Sequence, residues 1–190
     1  ALGYKITRVE NGKVHFAADM SAIPVANLWL RAADRVLVRL GEFRTGSFER
    51  LFECTRSLPW DEWITEDGKF TVTGKSVKSK LHSVPDCQSI VKKAVVEKLK
   101  TKYGTSWFKE DGPSFTILVS LLKDVATLTI DSSGAGLHKR GYRKMAVEAP
   151  LKETLAAAII QLSFWKTGRL LFDPFCGSGT IPIEAAMIGM

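Results

Sequence analysis

Cysteine is scarce in this chain of 190 residues: Cys54, Cys87 and Cys176 are odd in number and far apart in sequence. That excludes a disulfide framework and gives no zinc-ligand spacing, and it points to a reducing cytoplasm as the expected location. No run of about 18 apolar residues occurs, so no membrane span is expected. The longest apolar stretch, Leu155 to Ile160, is short. No signal peptide is visible, although Ala1 is not an initiator methionine. Histidine is scarce too. His15, His82 and His138 are scattered, and no carboxylate pair stands out, so neither an acid–base centre nor a metal centre is indicated.

What is present is a globular composition, 45% hydrophobic, in a chain long enough for one large domain or two small ones. The net charge is +7, and its distribution says more than its size. Residues 1–68 are nearly balanced, 69–110 carry ten lysines against three acidic residues, 136–149 are again basic, and 150–190 sum to zero. Two concentrated basic stretches fit a polyanion footprint better than general solubility.

Alternation and turn residues predict the elements. Tyr4–Val9 and Lys13–Phe16 flank Glu10-Asn11-Gly12 and read as a hairpin. Ser21 to Ala33 reads as a helix capped by Ser21, with Pro24 in its first turn. Arg35–Leu40 alternates like a strand, and Ser47–Trp63 reads as a helix broken near Pro59. Lys69–Val72 is a strand candidate, followed by a basic stretch through Ser83. A helix capped by Asp86 then runs to about Lys102, with Ile90, Val91, Ala94, Val95 and Leu99 on one face. Ser114–Leu122 and Val125–Ile130 read as strands joined at Lys123-Asp124.

In an extended stretch Lys78, Lys80 and His82 project to one side and Val77, Ser79 and Leu81 to the other. Lys75, Lys92, Lys93 and Lys100 extend a phosphate-binding patch if loop and helix are adjacent. The connector His138-Lys139-Arg140-Gly141-Tyr142-Arg143 adds two guanidinium groups suited to phosphates and a ring suited to an unpaired base. The expected RNA-binding set is therefore Lys75, Lys78, Lys80, Lys92, Lys93, Lys100, Lys139, Arg140, Tyr142 and Arg143. The plainer alternatives are a solvated lysine face and a connector that only docks one domain on another.

The strongest motif lies near the end. Leu170-Leu171-Phe172 is a short apolar run ending in Asp173, followed by Pro174-Phe175-Cys176-Gly177-Ser178-Gly179-Thr180 and an Ala-rich helical start. This predicts a strand, a tight glycine-bracketed loop and a helix N-terminus. Such a loop brings backbone N–H groups to a carboxylate or phosphate, and Asp173 supplies an acceptor for an ammonium. A P-loop fits poorly because no lysine follows Gly179, and a dinucleotide fingerprint fits poorly because Pro182 stands where its third glycine belongs. An ordinary strand-to-helix turn is the plainer alternative.

Asp173 to Thr180, followed by Ile183-Glu184-Ala185-Ala186, resembles the first cofactor motif of class I S-adenosylmethionine-dependent methyltransferases. Asp131 to Arg143 resembles the junction signature of the RNA methylases that carry an N-terminal THUMP domain. Ala149 to Ala157 resembles the helix that walls their cofactor pocket. The nearest group by resemblance is bacterial and methylates guanine N2 of 23S rRNA; older descriptions call its members adenine-specific DNA methylases. The resemblance implies an α+β fold, with a ferredoxin-like/THUMP N-terminal region followed by the start of an α/β Rossmann-like methyltransferase domain. The implied parts are 1–66 ferredoxin-like, 67–133 THUMP, 134–149 basic junction and 150–190 methyltransferase segment.

The implied cofactor is S-adenosylmethionine. Asp173, Phe175, Cys176, Gly177, Ser178, Gly179 and Thr180 would border its methionine end, with Glu153 and Thr154 as secondary contributors. The implied partner is structured RNA, 23S rRNA foremost. The chain is expected to be trimmed at both ends relative to such a protein. The family's Asn/Asp-Pro-Pro-Tyr/Phe motif does not occur here. The catalytic residues are expected beyond residue 190, and the chain alone is expected to be inactive. A non-catalytic RNA-binding module and an adenine-specific DNA methyltransferase are the rival classes.

Overall fold

The computed structural model describes residues 2–142 and 150–190. They form two compact units, one made of the first 36 residues together with those from Ala135 onward, the other of Leu37–Gly134.

The second unit is a four-stranded sheet with helices against it. Its strands are β3 (Leu37–Arg44), β4 (Lys69–Val77), β5 (Ser114–Leu122) and β6 (Val125–Asp131), in the order β3-β6-β5-β4; β1 and β2 belong to the first unit. The β3–β6 and β5–β6 pairs are antiparallel, and β4–β5 is parallel. A parallel pair needs a long crossover. Here it is α3 (Val84–Tyr103), which packs on both strands it connects and on α2 (Phe48–Arg56).

The alternation seen in the sequence is the core itself. Ile117, Val119 and Leu121 of β5 and Ala126, Leu128 and Ile130 of β6 are buried, and the residues between them are not. Val91, Val95 and Leu99 of α3 and Leu51 of α2 complete that core with Trp60 and Ile64. Trp60 sits in a single 3-10 turn (Trp60–Glu62) and donates its indole N–H to Thr55 O at 2.7 Å. The expected break near Pro59 is thus the gap between α2 and this turn.

Several boundaries differ from expectation. β4 continues through Val77, so Lys75 lies on a strand. Val77 is exposed and is no inward anchor. The strand expected at Arg35–Leu40 runs Leu37–Arg44, stapled to β6 along its length. The cap of α3 is Ser83 rather than Asp86, because Pro85 already stands inside the first turn, and Asp86 becomes a first-turn acid. Gly104, with φ +66°, ends α3 in the left-handed conformation that terminates helices.

The first unit contains the hairpin β1 (Lys5–Glu10) and β2 (Lys13–Ala17), with Asn11-Gly12 at its turn. It also holds the helices α1 (Ala22–Trp29), α4 (Glu153–Leu162) and α5 (Thr180–Gly189). Ser21 stands at the expected N-cap position of α1, but it is in helical conformation and its side chain makes no cap bond. Asp19 instead accepts from the backbone N–H of Ser21 at 2.9 Å and from its hydroxyl at 2.5 Å.

The strand expected at Leu170–Phe172 is absent. Among the described residues no strand pairs with it, and a lone extended segment leaves its backbone without a ladder. Leu170 is 95% and Phe172 82% exposed.

Candidate functional site: a glycine loop and a basic sheet end

The loop after Phe172 is built from its own residues. Asp173 Oδ1 accepts the N–H of Phe175 at 3.2 Å, a turn that folds the acidic side chain back over the loop entrance. Gly179 N–H closes on Cys176 O at 2.8 Å, and the hydroxyls of Ser178 and Thr180 are 2.9 Å apart. Gly177 and Gly179 have φ of +53° and +72°. A side chain at either position would meet almost no protein atom within 4 Å, so backbone conformation, not crowding, calls for glycine. The space beside the loop is open. Helix α5 begins at Thr180 with no side-chain cap, leaving first-turn N–H groups free of a capping side chain. An acceptor carboxylate, two glycines and an uncapped helix start together fit an amino-acid-like group carrying both charges.

The other expected cofactor residues are placed differently. Cys176 and Phe175 are exposed on the loop. Glu153 and Thr154 are buried at the start of α4, and Thr154 donates its hydroxyl to Asp34 Oδ1 at 2.6 Å. Thr154 is committed to a protein partner rather than presented to a ligand.

The connector is also turned inward. Arg140 Nε lies 2.8 Å from Glu184 Oε1, Tyr142 donates its hydroxyl to the same oxygen at 3.1 Å, and Arg140 Nη2 donates to Arg31 O. The Arg140 side chain is only 10% exposed. Its guanidinium therefore faces a carboxylate within the fold instead of the solvent where phosphates would meet it. His138 lies over Gly136, where an added methyl would collide with its ring. Arg143 lies outside the described residues.

The second unit gathers cations at one end of its sheet. The parallel strands β4 and β5 both finish there, β3 finishes there, and β6 starts there. The β5–β6 turn, Lys123-Asp124, has φ of +50° and +61° at its two residues, the geometry of a tight two-residue hairpin. Asp124 then organises its surroundings. Its Oδ1 accepts Lys80 N–H at 2.6 Å, its own N–H donates to Ser79 Oγ at 3.1 Å, and its carbonyl accepts Thr45 N–H at 2.8 Å. Lys123 N–H reaches Val77 O at 3.2 Å, and Arg50 Nε donates to Arg44 O at 2.8 Å. Lys78, with φ +50°, ends the extended run, so the expected alternation holds only in part.

The result is an exposed cluster of Lys75, Lys78, Lys80 and His82 with Arg44, Arg50 and Lys123. The last three were not expected. They come from separate segments, and only the strand order brings them together. The helix lysines are less unified. Lys92 stands over Phe70 and Lys93 over Phe52, each about 6 Å from the ring centre, a distance at which the ring attracts the cation. Lys100 pairs with Glu97 at 3.5 Å. It sits roughly 24 Å along the helix axis from Val84 at 1.5 Å per residue, so it belongs to another region.

Among the described residues no three His, Cys, Asp or Glu side chains form a metal-binding group. No helix there is long and apolar enough to cross a membrane.

Parts of the chain match known domain families. Residues 1–37 match the RlmL ferredoxin-like domain, 46–131 the THUMP domain, and 140–190 the RMKL-like methyltransferase domain. A Bacillus subtilis protein bearing the name "Putative RNA methyltransferase YpsC" is 57% identical over 190 residues, which is 99% of this chain and 49% of that protein. A crystal structure described as a predicted N6-adenine-specific DNA methylase from Listeria monocytogenes superposes with a TM-score of 0.94 at 57% identity, over 99% of this chain and 50% of that one. SMU.472, described as "a putative methyltransferase complexed with SAH", superposes with a TM-score of 0.92 at 49% identity, over 100% of this chain and 50% of that one. The chain thus spans about half the length of the relatives it matches. In order, it carries an RlmL-type ferredoxin-like segment, a THUMP domain and a segment of the RMKL-like methyltransferase domain.

Proposed function

We propose that this chain supplies the RNA-binding and cofactor-loop parts of an S-adenosylmethionine-dependent RNA methyltransferase acting on guanine N2 of 23S rRNA. The observation that carries the reading is one chain holding both a THUMP domain with a basic sheet end and the open loop Asp173–Thr180. Asp173 is suited to the cofactor's ammonium, and the uncapped N-terminal turn of α5 to its carboxylate. When bound, the cofactor supplies an electrophilic sulfonium methyl; this chain's part is to position it. Lys75, Lys78 and Lys80, joined by Arg44, Arg50 and Lys123, hold RNA phosphates with little sequence readout. The target base must leave its stack to reach the methyl. Three unpaired thiols suit a reducing cytoplasm. The 190 residues alone are expected to transfer no methyl group, since the amino-holding Asn/Asp-Pro-Pro-Tyr/Phe motif does not occur in them.

The name of the Listeria relative keeps a DNA adenine methylase in view. The test is transfer of labelled methyl from S-adenosylmethionine by the full-length gene product, offered unmodified 23S rRNA, tRNA and duplex DNA. Label in 23S rRNA alone, located at guanine N2 by nucleoside analysis, is the expected outcome. Label in DNA puts the adenine reading first, and no label with RNA binding intact leaves a binding module.

A further inference from the structure

We infer that Arg140 and Tyr142 act through Glu184 as positioning residues for the cofactor loop, an inference that rests on the cofactor-binding reading above. Helix α5 is almost wholly apolar, and Glu184 is its one charged residue. Glu184 is fully buried, and among the described residues its Oε2 has no hydrogen-bond partner. A carboxylate so placed costs desolvation energy, and among the described residues Arg140 and Tyr142 are the groups that offset it. Nothing in the packing of an apolar helix asks for it.

The helix spacing supplies the reason. Glu184 lies one turn after Thr180, on the same face, and both are buried. Apolar helix surfaces can slide or rotate against each other with little loss, whereas a buried polar contact fixes one register. The Glu184 contact therefore fixes where the first turn of α5 sits, and with it the N–H groups of the Gly177–Thr180 loop. The other end of the contact is equally well held. Arg140 is bonded to Arg31 O, Leu137 N–H to Asp34 O at 2.9 Å, and Asp34 Oδ1 to the Thr154 hydroxyl. Arg31–Asp34 thus anchors the connector, and the connector anchors α5. Misplacing binding groups by about an ångström is enough to cost a large factor in function.

The test measures SAH affinity by calorimetry and RNA affinity by filter binding on the full-length protein. Glu184→Gln, which keeps shape and loses charge, is expected to raise the SAH Kd about tenfold and leave the RNA Kd within about twofold, because the effect is one of loop placement. Arg140→Lys keeps the charge and should recover part of that loss relative to Arg140→Gln. Tyr142→Phe removes a single hydroxyl and should raise the SAH Kd about threefold; it decides the matter if the Glu184 variant does not fold. An SAH Kd within about twofold of wild type in the folded variants overturns the inference. So does Arg140→Lys weakening RNA binding at unchanged SAH affinity, the pattern of a direct phosphate contact. Failure of the unmodified protein to bind SAH removes the cofactor reading itself, and this inference with it.

Discussion

Asp124 Oδ1 accepts the backbone N–H of Lys80 at 2.6 Å, so an acidic hairpin tip holds the basic loop from the neighbouring edge strand. The carboxylate sets the loop's shape and the lysines supply its charge. Asp124→Ala should cost about 1.5–3 kcal/mol of stability, the range for a hydrogen bond to a charged group. Asp124→Asn, which tolerates the left-handed turn and retains an acceptor, should cost much less. Denaturant unfolding of both variants checks the order, and equal stabilities would remove the clamp from the account.

The basic sheet end predicts strong salt dependence. If four to six phosphates are neutralised, log K against log salt should slope by roughly −3 to −5. Lys80→Ala should reduce that slope by about one unit, whereas Lys100→Ala, at the far end of α3, should leave it unchanged. Filter-binding titrations from low to moderate salt measure both. A flat response would show that this surface is merely solvated.

Gly179 requires its glycine for a conformational reason. With φ +72° and open space around it, Gly179→Ala should cost about 1–2 kcal/mol for a left-handed L-residue and weaken SAH binding as the N–H groups turn away. Thermal unfolding and calorimetry together test this. Unchanged values in both would mean that the loop re-forms with ease.

The three thiols should react in a fixed order. Cys176 is exposed, Cys54 half-buried and Cys87 buried. Burial pushes the Cys87 thiol above its ordinary value, and the neighbouring Asp86 charge adds to that. At neutral pH Cys176 should label first, and Cys87 only on unfolding. Bound SAH should protect Cys176 selectively. Mass-spectrometric labelling with and without SAH reads both effects.

Asp61 gives a pH dependence of definite sign. Its own backbone N–H holds the carboxyl below the ordinary 3.8, and against opposing desolvation Lys98 and Lys102 add to the effect. These two lysines lie 3.4 and 3.5 Å away. The folded form therefore binds the proton less readily than the unfolded one. The stabilisation is present above the unfolded value and lost as pH falls through the folded value. Wild type should exceed Asp61→Asn in stability at neutral pH, and the gap should close in acid. A gap that widens on acidification would contradict the assignment.

Much of the THUMP core was legible because its strands bury one face. Ile117, Val119 and Leu121, then Ala126, Leu128 and Ile130, announce themselves by alternation, and both strands lie where that alternation places them. The loop glycines were legible for a similar local reason, since both adopt the positive φ that their spacing implied. What could not be read was non-local. Nothing near Arg140 indicates a partner 44 positions away in Glu184. Nothing near Arg44 places it beside Lys80. The apolar run at Leu170–Phe172 looks like a strand in isolation, but a strand exists only with a neighbour to pair with. The cap of α3 shifted by three residues because Ser83, not Asp86, stood at the non-helical step.

Leu37, where the THUMP-bearing unit begins, is the cross-strand partner of Asp131, near where it ends. The unit therefore enters and leaves at one spot, as an inserted domain does. Such geometry makes it interchangeable. A short bridge across that doorway could close the host chain without it, and a foreign RNA-binding domain with adjacent termini could be spliced in its place.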